Sequence, residues 1–248
     1  MPETFPLALV TGAAHRLGKA FALTLARLGY AILLHYNASA DEAAITADEI
    51  RALGVPVFPV QADLTEEAQV DALFSSLDET LARHASVITH FGVLVNSAAL
   101  MQRADARSVP AVDFDATFDI NLRAPFLCAQ QAYRRMNSGG LIVNISDVAA
   151  QKVWTGFPAY SVSKAALESL TRILARSFAP GVRVNAIVPG LVLPSDDMPF
   201  DDWDRLVSRL PLRRPAALEE IAFTLEFLLK NEYITGQSIV VDGGYSLL

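Results

Sequence analysis

The sequence predicts an α/β fold, with a doubly wound, mostly parallel sheet covered by helices on both faces. Short β-branched apolar runs alternate along the chain with longer segments of helical period, and no linker, low-complexity tract or repeat interrupts them. The 248 residues are 52% hydrophobic and 19% charged, which is enough apolar chain for one large core. Because strands joined through helices form right-handed parallel units, we expect one domain over residues 1–248.

The first half of the chain contains three strand–helix pairs. The strands are expected at residues 7–10, 31–36 and 55–60, and the helices at 17–28, 41–53 and 65–83. Gly29 and Gly54 follow the first two helices as C-terminal caps. Pro56 and Pro59 lie in the third strand, and proline cannot donate to a neighbouring strand, so this strand is expected at a sheet edge. That position matches the strand order 3-2-1-4-5-6 of dinucleotide-binding folds.

The second half continues the alternation with longer helices. Strands are expected at residues 92–95, 141–145, 182–187 and 238–241, and long helices at 112–136 and 158–178.

Charge and cysteine content argue against several classes of protein. Lys and Arg number 20 against 27 Asp and Glu, and no basic run is present, so nucleic acid is not expected as a partner. The single Cys128 cannot form an internal disulfide and is expected to be a buried apolar side chain. The sequence shows neither a signal peptide nor an apolar run of membrane length, and a cytoplasmic protein without membrane contact is expected.

No metal site is expected. A cluster of five aspartates could be mistaken for a metal site, but we interpret this acidic group as a solvated loop with helix N-caps. It comprises Asp196, Asp197, Asp201, Asp202 and Asp204.

A glycine-containing turn joins the first strand to the first helix. It reads Thr11-Gly12-Ala13-Ala14-His15-Arg16-Leu17-Gly18, and in this position a pyrophosphate meets free amide N–H groups and the positive end of a helix dipole. Two glycines six residues apart also occur in ordinary turns, so the loop alone is weak support. Where an NAD-specific site places an acid, the chain reads His35-Tyr36-Asn37-Ala38-Ser39. An acid would repel a 2′-phosphate, and its absence favours NADP(H) over NAD(H).

Asp63 and Leu64 follow the third strand. The Asp63 carboxylate could accept a hydrogen bond from an adenine amino group, or it could begin the next helix as its N-cap, and both interpretations stay open.

Tyr160 and Lys164 are four residues apart at the start of a predicted helix and therefore share one face. A nearby ammonium favours the phenolate, so we expect the pKa of Tyr160 to lie below its ordinary value. This spacing also occurs by chance in many helices, and three neighbours strengthen the interpretation. Asp147 and Asn96 end predicted strands at the crevice of such a sheet, and Asn121 lies on the preceding long helix.

Together these motifs resemble the short-chain dehydrogenases/reductases over essentially the whole chain. The family pattern TGxxxGxG corresponds to residues 11–18, with Arg16 at the middle glycine, and NNAG corresponds to residues 96–99. The catalytic asparagine corresponds to Asn121, YxxxK to Tyr160 and Lys164, and the PG turn to residues 189–190. The resemblance implies a Rossmann-type NADP(H)-binding reductase. Its expected cofactor-binding residues are Gly12, Arg16, Leu17, Gly18, His35, Tyr36, Asn37, Ser39, Asp63, Leu64, Asn96, Ala98, Tyr160, Lys164, Pro189 and Gly190.

Within the family the chain is most similar to pteridine reductases, through TGAAHRLG and above all through Asp147, which stands where most short-chain reductases have serine. An ionised carboxylate would oppose a developing alkoxide, but it can accept a hydrogen bond from an N–H-rich heterocycle or, when protonated, relay a proton. Ser146 should point the other way by strand alternation. Asp147 therefore favours reduction of a C=N bond. Reduction of a 3-oxoacyl, sugar or other small ketone, with Asp147 neutral, is the alternative, and a non-catalytic NADPH-binding protein is a third interpretation.

Two positions depart from the pteridine reductase pattern. Met101 stands where that branch has an aromatic residue that packs on the pterin, and Ala99 stands where relatives have serine. The catalytic residues expected from the resemblance are Asp147, Tyr160, Lys164 and Asn121. Substrate contacts are expected from Arg16, Met101, Asp147, Phe157, Tyr160 and Trp203, with a substrate loop at about residues 190–215. The resemblance also implies a homotetramer or dimer that pairs the two long helices.

Overall fold

The protein is built on a parallel sheet of seven strands. A computed structural model describes residues 4–194 and 198–248, so Asp196 and Asp197 of the acidic group lie outside the described residues. The strands are β1 (Phe5–Thr11), β2 (Ala31–Tyr36), β3 (Val57–Gln61), β4 (Ile88–Asn96), β5 (Gly140–Ile145), β6 (Val182–Pro189) and β7 (Ser238–Val241). Their order is β3-β2-β1-β4-β5-β6-β7, and every neighbouring pair is parallel. This Rossmann-type α/β fold confirms the predicted class and the edge position of β3.

In the described part of the chain, eight α-helices connect and cover these strands. They are α1 (Arg16–Arg27), α2 (Ala40–Ala52), α3 (Glu67–Arg83), α4 (Ala111–Phe118), α5 (Ala124–Tyr133), α6 (Pro158–Phe178), α7 (Phe200–Arg209) and α8 (Leu218–Lys230). Helix α1 packs against α2 and α8, whereas α3 packs against α5 and α4 against α6. The helices thus form two groups, as a doubly wound sheet requires.

The core follows from this layering. Strands covered on both faces read as continuous apolar runs instead of alternating ones, and β5 is buried at every position. Leu9 of β1 is fully buried between Leu33 of β2 and Leu94 of β4. Cys128 is also buried, as expected.

The long helix expected at 112–136 is interrupted. A π-helical segment, Asp119–Arg123, separates α4 from α5. Pro125 has no N–H group and cannot donate to the carbonyl of Asn121 as a residue four positions later does in an α-helix. Instead the Ala124 N–H donates to the carbonyl of Asp119, five residues earlier. Asn121 therefore lies in a widened turn and not in a regular helix.

Two helices differ from the sequence expectation. Helix α7 lies inside the region expected as a substrate loop, and it carries Asp201, Asp202 and Asp204. Helix α8 was not predicted, although the buried spacing of Ile221, Leu225 and Leu228 is the signal that could have found it. No helix among the described residues is both long and apolar enough to cross a membrane.

Candidate active site

The carboxyl ends of the strands open into one cleft of about 760 Å³, placed where the strand order reverses between β1 and β4. Most of the predicted site residues line this cleft. These are Gly12, Arg16, Leu17, Gly18, His35, Tyr36, Asn37, Ser39, Asp63, Leu64, Ala98, Met101, Asp147, Tyr160, Lys164, Pro189 and Gly190. Of the described residues that line it, none is Asn96, Asn121, Phe157 or Trp203.

The turn between β1 and α1 forms a cradle that only small residues allow. Gly12 has a φ of +63°, and a Cβ on Gly18 would lie 2.0 Å from the Gly12 carbonyl oxygen. Helix α1 begins at Arg16, so the N–H groups of its first turn have no acceptor within the helix. Main-chain donors at a helix N-terminus that borders a large cleft fit the pyrophosphate of a dinucleotide.

Arg16 occupies the place of the middle glycine in the family pattern and has a φ of +52°, in the left-handed region that favours glycine. Its guanidinium group donates hydrogen bonds to the carbonyls of Leu193 at 3.2 Å and Pro194 at 3.0 Å. The side chain therefore connects the turn at one side of the cleft with the segment that follows β6.

His35 is 2% exposed, and both of its ring nitrogens are engaged. Nδ1 accepts from the Gly12 N–H at 3.1 Å, and Nε2 lies 2.9 Å from the Ala62 carbonyl oxygen. Both ring nitrogens are thus engaged within the protein although His35 lines the cleft, and its role as a cofactor-binding residue stays a prediction.

Short hydrogen bonds hold the segments at the end of the cleft where we expect the adenosine of the cofactor. Gln61 donates to the Asn37 carbonyl at 2.8 Å, and Asp63 Oδ1 accepts from the N–H and the hydroxyl of Thr65 at 3.0 and 2.7 Å. Because α3 begins only at Glu67, Asp63 closes the turn before this helix and is not its N-cap.

The catalytic end brings Asp147, Tyr160 and Lys164 together. Tyr160 Oη donates to Asp147 Oδ2 at 3.0 Å, and the other carboxylate oxygen accepts from the Ala149 N–H at 2.8 Å. Lys164 Nζ donates to the Ile145 carbonyl at 2.7 Å and lies 5.6 Å from the centre of the Tyr160 ring. Tyr160 and Lys164 share one face of α6, as their spacing predicted, and both are buried.

Burial controls the charges of this trio. It raises the pKa of Asp147 to about 6 and lowers the pKa of Lys164 to about 8. Burial and the Asp147 carboxylate together raise the pKa of Tyr160 well above its ordinary value. The expectation of a lowered Tyr160 pKa was therefore wrong, because burial of the phenol and its bond to the Asp147 carboxylate both oppose the phenolate.

Three polar residues behind the trio hold the surrounding elements. Ser146 Oγ lies 3.2 Å from Glu168 Oε1 and 3.3 Å from the Lys164 carbonyl oxygen, so it contacts α6 as Asp147 does, and the expectation that it points the other way is not confirmed. Asn121 accepts from the Leu100 N–H at 2.8 Å and donates to Ser163 Oγ at 3.0 Å.

Asn96 belongs to the same buried layer. Its side chain donates to Asn144 Oδ1 at 2.9 Å, across the β4–β5 pair. Asn96 and Asn121 thus join neighbouring elements instead of lining the cleft.

Phe157 and Trp203, the aromatic residues expected at the substrate, are not among the described residues that line the cleft, and their contact with a substrate stays a prediction. Phe157 packs on Trp154, with 6.1 Å between ring centres, and Trp154 packs at the same distance on Tyr245. Burial and the charge of Asp147 raise the pKa of Tyr245, so this aromatic group lies near the catalytic end. Sequence reasoning missed Trp154 and Tyr245, since no short motif connects residues so distant in the chain. Trp203 lies in the first turn of α7, and Met101 is 42% exposed in the cleft.

Comparison with known sequences places this geometry in a family. A family model described as Enoyl-(Acyl carrier protein) reductase matches residues 12–246. The 1-cyclohexenylcarbonyl-CoA reductase of Streptomyces collinus is 36% identical, over 98% of this chain and 87% of the relative. The 3-oxoacyl-acyl-carrier-protein reductase FabG of Staphylococcus aureus is 33% identical, over 96% of each chain.

Two solved structures are similar along their whole length. FolM Alternative dihydrofolate reductase 1 from Brucella canis, complexed with NADP, matches with a TM-score of 0.87 and 36% identity, over 98% of this chain and 94% of the other. A short-chain dehydrogenase/reductase from Serratia marcescens matches with a TM-score of 0.90 and 30% identity, over 99% and 100%. With these identities over nearly the whole length of each chain, the chain belongs to the short-chain dehydrogenase/reductase family.

Proposed function

We propose that this protein is an NADPH-dependent reductase of a pteridine or of a related planar N-heterocycle such as dihydrofolate. The observation that carries the proposal is the hydrogen bond between Tyr160 and Asp147, with a carboxyl group where most short-chain reductases have a hydroxyl. The similarity to a structure named as an alternative dihydrofolate reductase supports it.

The cofactor end suits NADP(H). The cradle of Gly12 and Gly18 would take the pyrophosphate, and Arg16, Asn37 and Ser39 would provide donors for the 2′-phosphate. When bound, NADPH supplies a hydride. Toward the adenosine and the nicotinamide, the cleft offers Leu17, Tyr36, Asp63, Leu64, Ala98, Pro189 and Gly190.

The catalytic end would handle the proton. Reduction of a C=N bond adds hydride to carbon and a proton to nitrogen. With a pKa of about 6, the Asp147 carboxyl holds a proton in a useful fraction of molecules near neutral pH and can release it to that nitrogen directly or through Tyr160. The Lys164 ammonium lies close enough to stabilise the carboxylate that remains.

Asn121 would act as a positioning residue in this scheme. Its side chain joins Leu100, on the loop that borders the cleft, to Ser163 on the helix that carries Tyr160 and Lys164. A water relay held at Asn121 is part of the proposal.

A second candidate is carbonyl reduction of a 3-oxoacyl thioester. Met101, in place of an aromatic ring, offers a flexible apolar wall that suits an acyl chain better than a flat heterocycle. The family description and the names of the two sequence relatives, which refer to acyl carrier protein or CoA substrates, point in this direction.

We further propose one domain over residues 1–248 and assembly into a homotetramer or dimer. Apolar side chains exposed on α4, α5 and α6 support pairing of these helices, and they are Val112, Phe126, Tyr133, Val162 and Ile173. Light scattering on the purified protein tests the assembly, and a monomer would contradict it. The cytoplasmic location stays a prediction.

Oxidation of NADPH, followed at the nicotinamide absorbance band, separates the two candidates. Dihydrobiopterin, dihydrofolate and a 3-oxoacyl thioester are supplied in parallel, with NADH as the cofactor control. We expect turnover with NADPH and a dihydropteridine. Turnover of the oxoacyl compound alone would establish the second candidate, and NADPH binding without turnover of any substrate would leave a non-catalytic binding protein.

Replacing Asp147 by serine sharpens this experiment. Asp147→Ser should lower pteridine turnover at least about 100-fold, because the proton donor is removed, while any oxoacyl activity should persist or rise. The exposed Asp201→Ser on α7 is the matched control. Unchanged pteridine turnover in Asp147→Ser would overturn the proposed role of the carboxyl group.

A further inference from the structure

We propose that His35 is a positioning residue that sets the affinity for NADPH by holding the phosphate-binding turn in shape from behind. The inference rests on the proposed function only through the use of NADP(H), and it is independent of the substrate.

The hydrogen bonds of His35 define one protonation state. A main-chain N–H can only donate, so the Gly12 N–H at 3.1 Å requires an unprotonated Nδ1. A carbonyl can only accept, so the Ala62 oxygen at 2.9 Å requires the proton on Nε2. The neutral ring satisfies both groups. Burial, which lowers the pKa of His35, favours the same state.

Through these bonds one side chain connects three elements of the cofactor site. Gly12 belongs to the turn between β1 and α1, His35 is the penultimate residue of β2, and Ala62 precedes Asp63 in the segment between β3 and α3. The main chain of His35 adds a further bond, because its carbonyl accepts from the Ala13 N–H at 2.8 Å. The relative position of the pyrophosphate and adenosine ends of the cleft thus depends on this residue.

The two bonds to the turn also decide which donors remain for a phosphate. The N–H groups of Gly12 and Ala13 are consumed by His35, so the phosphate is left with the N–H groups of the first turn of α1. The fit of this helix is tight, because the Gly12 carbonyl oxygen lies 2.0 Å from where a Cβ on Gly18 would be. A displacement of Gly12 would therefore move the donors that face the phosphate.

Three substitutions separate the two bonds of the ring. His35→Asn places an amide oxygen where Nδ1 lies and keeps the acceptor for Gly12. His35→Gln places an amide nitrogen near Nε2 and keeps the donor for Ala62. His35→Leu keeps neither. The probe is NADPH itself, titrated by its fluorescence, together with kcat at saturating NADPH for whichever substrate the wild type reduces.

We expect His35→Leu to raise the Kd for NADPH about 30-fold, because the half-buried Gly12 N–H loses its acceptor. His35→Asn should recover most of this loss, His35→Gln should recover less, and kcat should change less than about twofold in all three. Asn185→Leu is the matched control. It removes another fully buried polar side chain, hydrogen-bonded to the Ile234 carbonyl, and should lower the melting temperature without changing the Kd for NADPH.

Three outcomes would overturn the proposal. They are wild-type affinity in His35→Leu, equal weakening in the Asn and Leu variants, and a loss of kcat as large as the loss of affinity. If the Leu variant does not fold, the comparison of the Asn and Gln variants decides. Failure of the wild type to bind NADPH would overturn the proposed function instead, so the two failures are distinguishable.

Discussion

The two ends of the cleft are constructed by different means. At the cofactor end, the shape comes from the main chain, with Gly12 and Arg16 at positive φ and a buried neutral imidazole behind the turn. At the catalytic end, regular strands and a helix deliver side chains whose pKa values are shifted by burial, as at Asp147 and Lys164. Binding of the cofactor should therefore depend on backbone conformation, and turnover on ionisable side chains. Four substitutions test this separation.

The largest effect is expected from Tyr160→Phe. Removal of the hydroxyl breaks the 3.0 Å bond to Asp147 and interrupts proton transfer, so kcat should fall about 1,000-fold. The Kd for NADPH should stay within about twofold, because the turn that binds phosphate is untouched. Stopped-flow turnover and fluorescence titration measure the two quantities, and retained turnover would disprove the catalytic role of Tyr160.

A smaller effect, on the Kd for NADPH instead of on kcat, is expected from Gly18→Ala. The added Cβ would lie 2.0 Å from the Gly12 carbonyl oxygen, so the turn must shift, and the Kd for NADPH should rise at least about 30-fold. Gly181→Ala is the control, since a Cβ there meets only the Phe178 carbonyl oxygen at 3.7 Å. Equal affinities of the two variants would show that the cradle is not restricted by this contact.

Asp147→Asn should reveal how much the buried Asp147 carboxyl group lowers the free energy of unfolding as the pH rises. Because burial raises the pKa of Asp147 from 3.8 to about 6, its contribution to folding is fully present below the unfolded-state pKa and is lost as the pH rises through 6. The full loss amounts to about 3 kcal/mol, roughly half of it between pH 5 and pH 8. The asparagine does not titrate.

Urea unfolding at several pH values measures this effect. Relative to the wild type, Asp147→Asn should gain about 1 to 2 kcal/mol in the free energy of unfolding from pH 5 to pH 8, while pteridine turnover is lost. Asp201→Asn, at an exposed acid, provides the reference. A difference that is flat with pH would mean that Asp147 is not desolvated in the folded protein.

The smallest effect is expected from Arg16→Gly. Glycine relieves the left-handed backbone conformation but adds entropy to the unfolded chain, so the free energy of unfolding should change by less than about 1 kcal/mol. Loss of the guanidinium group should raise the Kd for NADPH about fivefold and leave kcat unchanged. Arg213→Gly, at a φ of +53°, gives the same backbone change away from the cleft. A larger effect on kcat than on the Kd would break the separation of the two ends.

The sequence predicted most of the fold and of the cleft because both rest on local signals. The ends of strands, the helix caps and the glycine turn are determined by residues that are adjacent in the sequence. The spacing of Tyr160 and Lys164 likewise predicts a shared helix face. The two bonds of the His35 ring could not be predicted, because a histidine beside such a turn has the same sequence signature whether its ring nitrogens face a ligand or the interior. Its partners, Gly12 and Ala62, are 23 and 27 residues away in the chain.

The direction of the Tyr160 pKa could not be derived from spacing for a related reason. The pKa depends first on how deeply the hydroxyl is buried and then on which charged group meets it, and Asp147, thirteen residues earlier, meets it in place of Lys164. Helix α8 escaped prediction although its apolar period was present, and the π-helical turn was overlooked because Pro125 was read as part of one continuous helix.

That π-helical turn changes the phase of the long segment that contains it. It is equivalent to an α-helix with one inserted residue, and each residue rotates the direction of the side chains by about 100°. The side chains before and after the π-helical turn can therefore face two different neighbouring elements. Buried Ala124, Cys128 and Ala132 form one stripe of α5, while Asn121 in the turn itself reaches Leu100 and Ser163. Deletion of one residue between 119 and 123 would restore a single phase, and either the core stripe or the asparagine would then face the wrong way.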